Sequence, residues 1–389
     1  MKKKFESKNV ITVSMAHLIH DTYSAFLAPI LPLLISKFGI TVLMAGLLDI
    51  VRKIPALANP FIGLMADRMS VRYFVILAPA ITSVAMSLLG LAPSYIFIVI
   101  LVFMAGIGST IFHVPAPVMI KHVSHNQLGK GMSYYMLGGE LARTLGPLII
   151  LGAISLWGLE GTYRLIPLGI IASIILYFRL RKIEIRQDFQ KKKEISARKT
   201  FKNLIPFFIT IAGIMFFRAA MKSALTIYLP TYLTAKGSSI WVAGISLSIL
   251  QFAGAGGTFL AGIISDKIGR KNSLLIISIA NPILMFLFIY LHGIWTIPVL
   301  IVTGLFLFGS GPVILALVHD LDSEHMSFIN GVYMTINFIF SSVMVLGVGY
   351  FADAIGLDFT YKICAWLALG SIPFVLTIKN KKEISNEKV

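Results

Sequence analysis

The sequence predicts an all-α membrane protein: twelve transmembrane helices arranged as two pseudo-symmetric six-helix bundles. Three observations predict it. Of 389 residues, 57% are hydrophobic and 13% charged, and the mean hydropathy is +0.85. Soluble domains average about 25% charged residues. Basic residues gather in alternate loops, and a Gly-Asp-basic loop occurs twice, 199 positions apart.

A helix needs about 20 apolar residues to cross the hydrocarbon core. Apolar runs place spans near 10–36, 42–65, 73–92, 95–120, 131–157, 163–180, 204–233, 240–264, 273–292, 295–318, 327–352 and 359–378. Turn chemistry separates them, as in Gly158-Leu159-Glu160-Gly161 and Gly237-Ser238-Ser239. Met1 to Lys8 is basic and runs into a full-length span without a small-residue cleavage site, so it reads as a tail rather than a cleaved leader.

The net charge of +17 invites a nucleic-acid reading, and its distribution argues against one. With the N-terminus placed in the cytoplasm, 25 Lys and Arg fall on the inner side and four on the outer: Lys37, Arg164, Lys236 and Lys362. This positive-inside bias predicts a cytoplasmic (inner) membrane protein with both termini cytoplasmic, its basic loops facing anionic lipid. The lone cysteine, Cys364, rules out an internal disulfide and a cysteine-built metal site. No cofactor, metal or nucleic acid is expected.

The longest polar stretch, Arg179 to Lys202, lies near mid-chain. It divides the chain into an N-terminal bundle (1–180), a basic cytoplasmic linker (181–202) and a C-terminal bundle (203–389). A repeat supports the division. Span 2 ends in a loop with Gly63, Asp67, Arg68 and Arg72, and span 8 in one with Gly262, Asp266, Lys267, Gly269, Arg270 and Lys271. Leu31-Pro32 and Leu229-Pro230 match at an offset of 198. The Asp can cap the next helix or pair with a basic neighbour, and the expectation is a conformational latch between bundles. A plain capping turn is the alternative.

Ionisable residues inside spans are costly and usually face a cavity or a partner. Span 1 carries His17, His20, Asp21 and Ser24 within about a 100° arc of one helix face. Span 2 carries Asp49, Arg52 and Lys53 at the spacing of a self-neutralising set, and span 5 carries Glu140 and Arg143 one turn apart. Span 7 carries Arg218 and Lys222 with no acid on the same face; at the 198 offset they fall on His20 and Ser24. His113 ends span 4, as a site residue or a packing residue. His319 and Asp320 read as exposed loop residues at the inner end of span 10.

Near the membrane midplane five cations, Arg52, Lys53, Arg143, Arg218 and Lys222, face three acids, Asp21, Asp49 and Glu140, an excess that favours an anionic ligand. Arg218, Lys222, Arg143, His20, His113 and Ser24 are the candidate substrate-binding residues, a guanidinium being suited to phosphate, phosphonate or carboxylate. Asp21, Glu140 and His20 are the candidate proton-coupling residues. A membrane enzyme is disfavoured: there is no His-Glu-x-x-His, and Gly254-Ala255-Gly256-Gly257 reads as a helix-packing run.

Parallel six-helix repeats are the plan of major facilitator transporters, and the repeated loop is similar to that family's signature, complete in the second copy and departing at Ser70 and Val71 in the first. The chain more narrowly resembles fosmidomycin-resistance-type efflux proteins over nearly its whole length. Ala16 to Asp21 is similar to a His-Leu-x-Asn-Asp stretch, with His20 in place of Asn. Gly108 to His113 resembles a Gly-Ser-x-x-Phe-His stretch that normally continues Pro-Glu; here Val114-Pro115-Ala116 follows, and that acid is missing. Gly138-Gly139 with Leu145-Gly146-Pro147 resembles the span-5 antiporter motif, and Tyr361 to Ala365 matches the carboxyl half. The resemblance implies a monomeric proton-coupled antiporter that exports a drug, a phosphonate antibiotic being the namesake, with spans 1, 4, 7 and 10 lining the cavity. Import of an organic anion, or export of amphipathic cations, is the alternative.

Overall fold

A backbone in lipid satisfies its hydrogen bonds as a helix or in a closed barrel, and continuous apolar runs of about 20 residues, without the alternation of barrel strands, take the helix. The computed structural model describes residues 5–59, 72–181, 202, 204–291, 293–321 and 326–378, and no strand occurs among them. Eleven helical segments among the described residues are long and apolar enough to cross a membrane. They account for every expected span but the second. Span 2 is described as α3 (Val42–Lys53) and a short 3-10 turn over Ile54–Ala58. The rest of it, with Gly63, Asp67 and Arg68, lies outside the described residues, as does nearly all of the expected linker.

Two compact units are distinguished. The first comprises Met1–Lys191 with Lys236–Ser248, and the second Lys192–Ala235 with Ile249–Val389.

In the first unit, α1 (Ser7–Ser24) and α2 (Leu27–Phe38) form span 1, with a break at Ala25 and Phe26. Then come α3, α4 (Arg72–Ser87), α5 (Tyr95–His113), α6 (Pro115–Ser124), α7 (Leu128–Trp157) and α8 (Ile166–Leu180). Span 4 is broken where Pro115 starts α6: proline fits the first helical position and cannot continue the preceding hydrogen-bond ladder. His113 is therefore the last residue of α5. The unit's core joins Val10, Val13 and Ala16 of α1 to Val75, Phe112, Ile120 and Tyr135 from four other helices.

Helix α1 packs most extensively on α7, and α4 packs on α5 and α8. Glycine permits the first contact. A Cβ on Gly138 would stand 2.5 Å from the Ser14 carbonyl oxygen, and one on Gly146 2.6 Å from Ala25 Cβ. The span-5 glycines thus mark a line of backbone contact with span 1. On the opposite rim, Lys37 Nζ donates to the Gly90 carbonyl at 2.8 Å and pairs with Glu160 at 2.6 Å.

The second unit contains α9 (Ile205–Thr226), α10 (Leu229–Ala235), most of α11 (Ile240–Ile268), α12 (Arg270–Tyr290), α13 (Thr296–His319), α14 (Met326–Ile355), α15 (Leu357–Leu369) and α16 (Ser371–Leu376). Here α9 packs on α14 and α12 packs on α13 and α15. These pairings join spans 7 and 11, 9 and 10, and 9 and 12, in the same order as 1 and 5, 3 and 4, and 3 and 6. Buried hydroxyls lock the pieces: Tyr228 donates to the Val345 carbonyl at 2.8 Å, and Tyr361 to the Ala224 carbonyl at 2.7 Å. The Tyr361 and Tyr232 rings stack at 3.9 Å.

If backbone contact makes Gly138 a glycine, Gly138→Val costs about 1 to 3 kcal/mol, the usual range for overpacking. Gly152 lies on the same helix, and an added Cβ there meets nothing within 4 Å, so Gly152→Ala is neutral or stabilising. Thermal melting of the two purified variants checks this; equal melting temperatures contradict it.

Candidate functional site

Helical spacing sets the first contact of the site. His17 and Asp21 are four residues apart on α1, so the imidazole overlies the carboxylate: Nε2 is 3.1 Å from Oδ2. His113, at the end of α5, brings its Nε2 to 3.1 Å from the other oxygen, Oδ1. His20 Nε2 lies 3.8 Å from Oδ1, and its Nδ1 is 3.1 Å from the Thr82 hydroxyl on α4. On the far side of His17, Nδ1 is 2.7 Å from the Tyr135 carbonyl oxygen on α7. Four helices thus converge on one carboxylate.

The surroundings hold each ring. His17 stacks on Tyr135 at 4.0 Å, and His20 on Phe112 at 4.7 Å. A Cβ on Gly139 would stand 2.6 Å from His17 Cε1, and one on Gly108 2.3 Å from Thr82 Oγ1. The glycines of both sequence motifs therefore make room for groups that touch the site. Exposure is graded: His20 is fully buried, the Asp21 side chain is 15% exposed and that of His113 40%. The site opens on the His113 side.

Hydrogen-bond logic assigns a tautomer. A carbonyl oxygen only accepts, so His17 Nδ1 carries a proton and donates it to Tyr135. If His17 were neutral, its Nε2 lone pair would face a carboxylate oxygen at 3.1 Å, acceptor against acceptor. That contact is favourable only with positive charge between the two atoms. His20 Nε2 and Asp21 Oδ1 are buried without a hydrogen-bond partner; His113 reaches Oδ1 by distance, outside hydrogen-bond angle.

Among the described residues, the other two acids inside this unit's spans are paired on their own helices. Asp49, almost wholly buried, receives Arg52 Nη2 at 2.8 Å and Lys53 Nζ at 2.6 Å, as their spacing predicts. Glu140 pairs with Arg143 on the same helix. Ser24 Oγ is buried without a hydrogen-bond partner.

In the second unit, Arg218 Nη2 donates to the Leu307 carbonyl at 3.3 Å, and its Nε has no hydrogen-bond partner. It borders a cavity with Ser278, Asn281, Ser310 and Ser371, with room for about one water. Asn281 Oδ1 is buried and unpartnered there. Lys222 Nζ sits 5.8 Å from the centre of the Phe308 ring, a cation–π contact.

The second loop motif is fully described. Gly269 has φ +90, which favours glycine, and turns α11 into α12. Arg270 pairs with Asp266 at 2.6 Å and with Asp320 at 3.1 Å, and donates to Ser265 at 2.5 Å. These contacts tie the turn to the end of α13 within one unit. Asp320 is an exposed turn residue, as expected, and is also a partner of the motif, a contact the sequence did not show. Thr82, the Tyr135 carbonyl and the role of His17 were likewise absent from the expected site residues; the His17–Asp21 spacing was the available signal.

Comparison with known proteins bears on the family and the fold. A family model described as Major Facilitator Superfamily matches residues 13–345. The fosmidomycin resistance protein of Escherichia coli (strain K12) is 26% identical over 364 residues, covering 92% of this chain and 89% of that one. Multidrug resistance protein MdtG of Serratia proteamaculans (strain 568) is 24% identical over 294 residues, covering 71% and 70%. Among solved structures, a bacterial homolog of the human lysosomal transporter Spinster, inward-facing and occupied, shares the fold at TM-score 0.78 with 15% identity, covering 97% of this chain and 96% of that one.

Asp49→Asn leaves Arg52 and Lys53 without their acid. A loss of about 3 kcal/mol is expected, the low end for a broken buried pair because both cations keep some solvent access. Thermal melting of the purified variant measures it, and an unchanged midpoint contradicts the pairing.

Proposed function

Because the chain belongs to the major facilitator superfamily, we propose that this multi-pass membrane transporter is a proton-coupled antiporter exporting a drug or small organic anion, such as a phosphonate. It works by alternating access in the cytoplasmic membrane, with both termini inside, and it is not an enzyme. The observation that carries the reading is Asp21, a carboxylate inside a span held among three histidines. A carboxylate of this kind exchanges a proton when its partners move. Paired to imidazolium it is ionised, and deprived of that partner in a dry site it takes up a proton.

Asp21 is the proton carrier in this scheme, with His20 and Glu140 sensing or relaying. His17 and His113 set its partner charge. Arg218, Lys222 and Arg143 supply the cationic complement to the substrate, with His20, His113 and Ser24 as polar contacts. Arg218 keeps an unpartnered guanidinium nitrogen and accordingly has donor capacity to spare. Asp266, Lys267, Arg270 and Lys271, with Asp67, Arg68 and Arg72, set the balance between inward- and outward-open states, Gly269 shaping the turn between α11 and α12. The names of the relatives, fosmidomycin and multidrug resistance proteins, support export. The multidrug name also supports a second reading, export of amphipathic cations.

Proteoliposomes with an imposed pH gradient test the scheme. Asp21→Asn abolishes gradient-driven phosphonate accumulation and retains substrate counterflow within about twofold, because exchange needs no net proton movement. Arg218→Ala raises the half-saturating phosphonate concentration by at least about tenfold, from loss of a charge-assisted bond of about 1.5 to 3 kcal/mol. Full accumulation by Asp21→Asn refutes the proton role. Anion transport unchanged by Arg218→Ala refutes the anion site, and transport of cationic drugs alone supports the second reading.

A further inference from the structure

We propose that His17, Asp21 and His113, with His20 as a fourth donor, form a binding site for one divalent first-row transition-metal ion. The inference concerns a site and does not depend on the transported substrate. It rests on the placement of the donor atoms. One nitrogen of His17, one of His113 and a carboxylate oxygen of Asp21 all lie within 4.8 Å of one another. His17 Nε2 is 3.1 Å from Asp21 Oδ2 and His113 Nε2 is 3.1 Å from Oδ1, the two oxygens of the one carboxylate. Ligands about 2.0 to 2.1 Å from a tetrahedral ion stand roughly 3.3 Å apart, so each imidazole already stands at that spacing from one carboxylate oxygen.

The tautomers point the same way. His17 donates from Nδ1 to the Tyr135 carbonyl, the outer contact that commonly fixes a metal-bound imidazole and directs its Nε2 lone pair at the ion. His20 has its Nδ1 at the Thr82 hydroxyl, which can accept that N–H. Its Nε2 is left fully buried, without a hydrogen-bond partner, 3.8 Å from an Asp21 oxygen that also lacks one. A proton placed between His17 and Asp21 satisfies that pair and leaves His20 Nε2 and Asp21 Oδ1 as they are. A cation held by His17, His113 and Asp21 gives Asp21 a partner, and His20 Nε2, 3.8 Å from Oδ1, joins as fourth ligand by moving toward it.

The donor set selects the ion. Three imidazoles and one carboxylate suit Zn²⁺, Co²⁺, Ni²⁺ or Fe²⁺. They do not suit Ca²⁺, which takes six to eight oxygens, or Mg²⁺, which keeps an oxygen octahedron. Entry is available, since His113 is 40% exposed and sits at the helix break before Pro115. The ion and the coupling proton would occupy the same atoms, so they exclude each other.

Co²⁺ titration of the purified full-length protein tests the site through visible ligand-field absorption, a readout independent of transport. Wild type is expected to develop a saturable band at one Co²⁺ per chain, abolished by one equivalent of Zn²⁺ and unaffected by excess Mg²⁺. His113→Gln, at the exposed edge where packing is little disturbed, is expected to weaken Co²⁺ binding about 100-fold. Outer contacts alone are worth about 10- to 100-fold. His122→Gln, outside the cluster, leaves binding unchanged. Should His17→Gln fail to fold, Zn²⁺ must still raise the melting temperature of wild type and not that of His113→Gln. Absence of a stoichiometric band in wild type, or an unchanged Co²⁺ affinity in His113→Gln, overturns the proposal whether or not the chain exports anions.

Discussion

A carboxylate inside a membrane-spanning bundle is tolerated only if donors surround it, and Asp21 imposes that requirement on half of the molecule. Its side chain is 15% exposed, too little for water alone to solvate the charge. The helix supplies one donor four residues earlier in His17. Another must come from a different span, and His113 provides it. Each donor then needs its own support: Tyr135 for His17, and Thr82 and Phe112 for His20. The packing of α1, α4, α5 and α7 is the consequence.

Small residues make that convergence sterically possible. In lipid, helices associate through close packing rather than through the hydrophobic effect, and glycine allows backbones to approach. Gly138 and Gly139 on α7 admit the α1 backbone and the His17 ring, and Gly108 on α5 admits the Thr82 hydroxyl. Motif residues that look remote from chemistry therefore set the distances on which the chemistry depends. The second unit handles its buried charge differently. Arg218 finds a carbonyl rather than an acid, and one of its nitrogens is left without a partner. A paired acid in one unit and an incompletely hydrogen-bonded guanidinium in the other are the two features on which the proposed exchange of protons for anions rests.

Much of this was legible in the sequence, for definite reasons. Hydropathy located the spans because a continuous apolar run of this length satisfies its backbone in lipid within itself, as a helix. The Asp49 set was readable because its partners sit three and four residues away on one helix. His17 and Asp21 were visible on one face for the same reason. Contacts between distant elements were not. Spacing on α1 says nothing of His113 or of a backbone carbonyl on α7. Asp320 is the exposed turn residue that the sequence suggests, but its pairing with Arg270 on another helix left no signal there. The expectation that Glu140 acts with Asp21 likewise meets a local competitor, since Glu140 pairs with Arg143 one turn away.

The central claim is that Asp21 changes its protonation when substrate binds. Proton release by the purified protein in weakly buffered solution, followed with a pH indicator on addition of a phosphonate substrate, tests it most directly. The account predicts about one proton per chain from wild type and none from Asp21→Asn with binding retained. Equal release from both proteins, or none from a wild type that binds substrate, would contradict it.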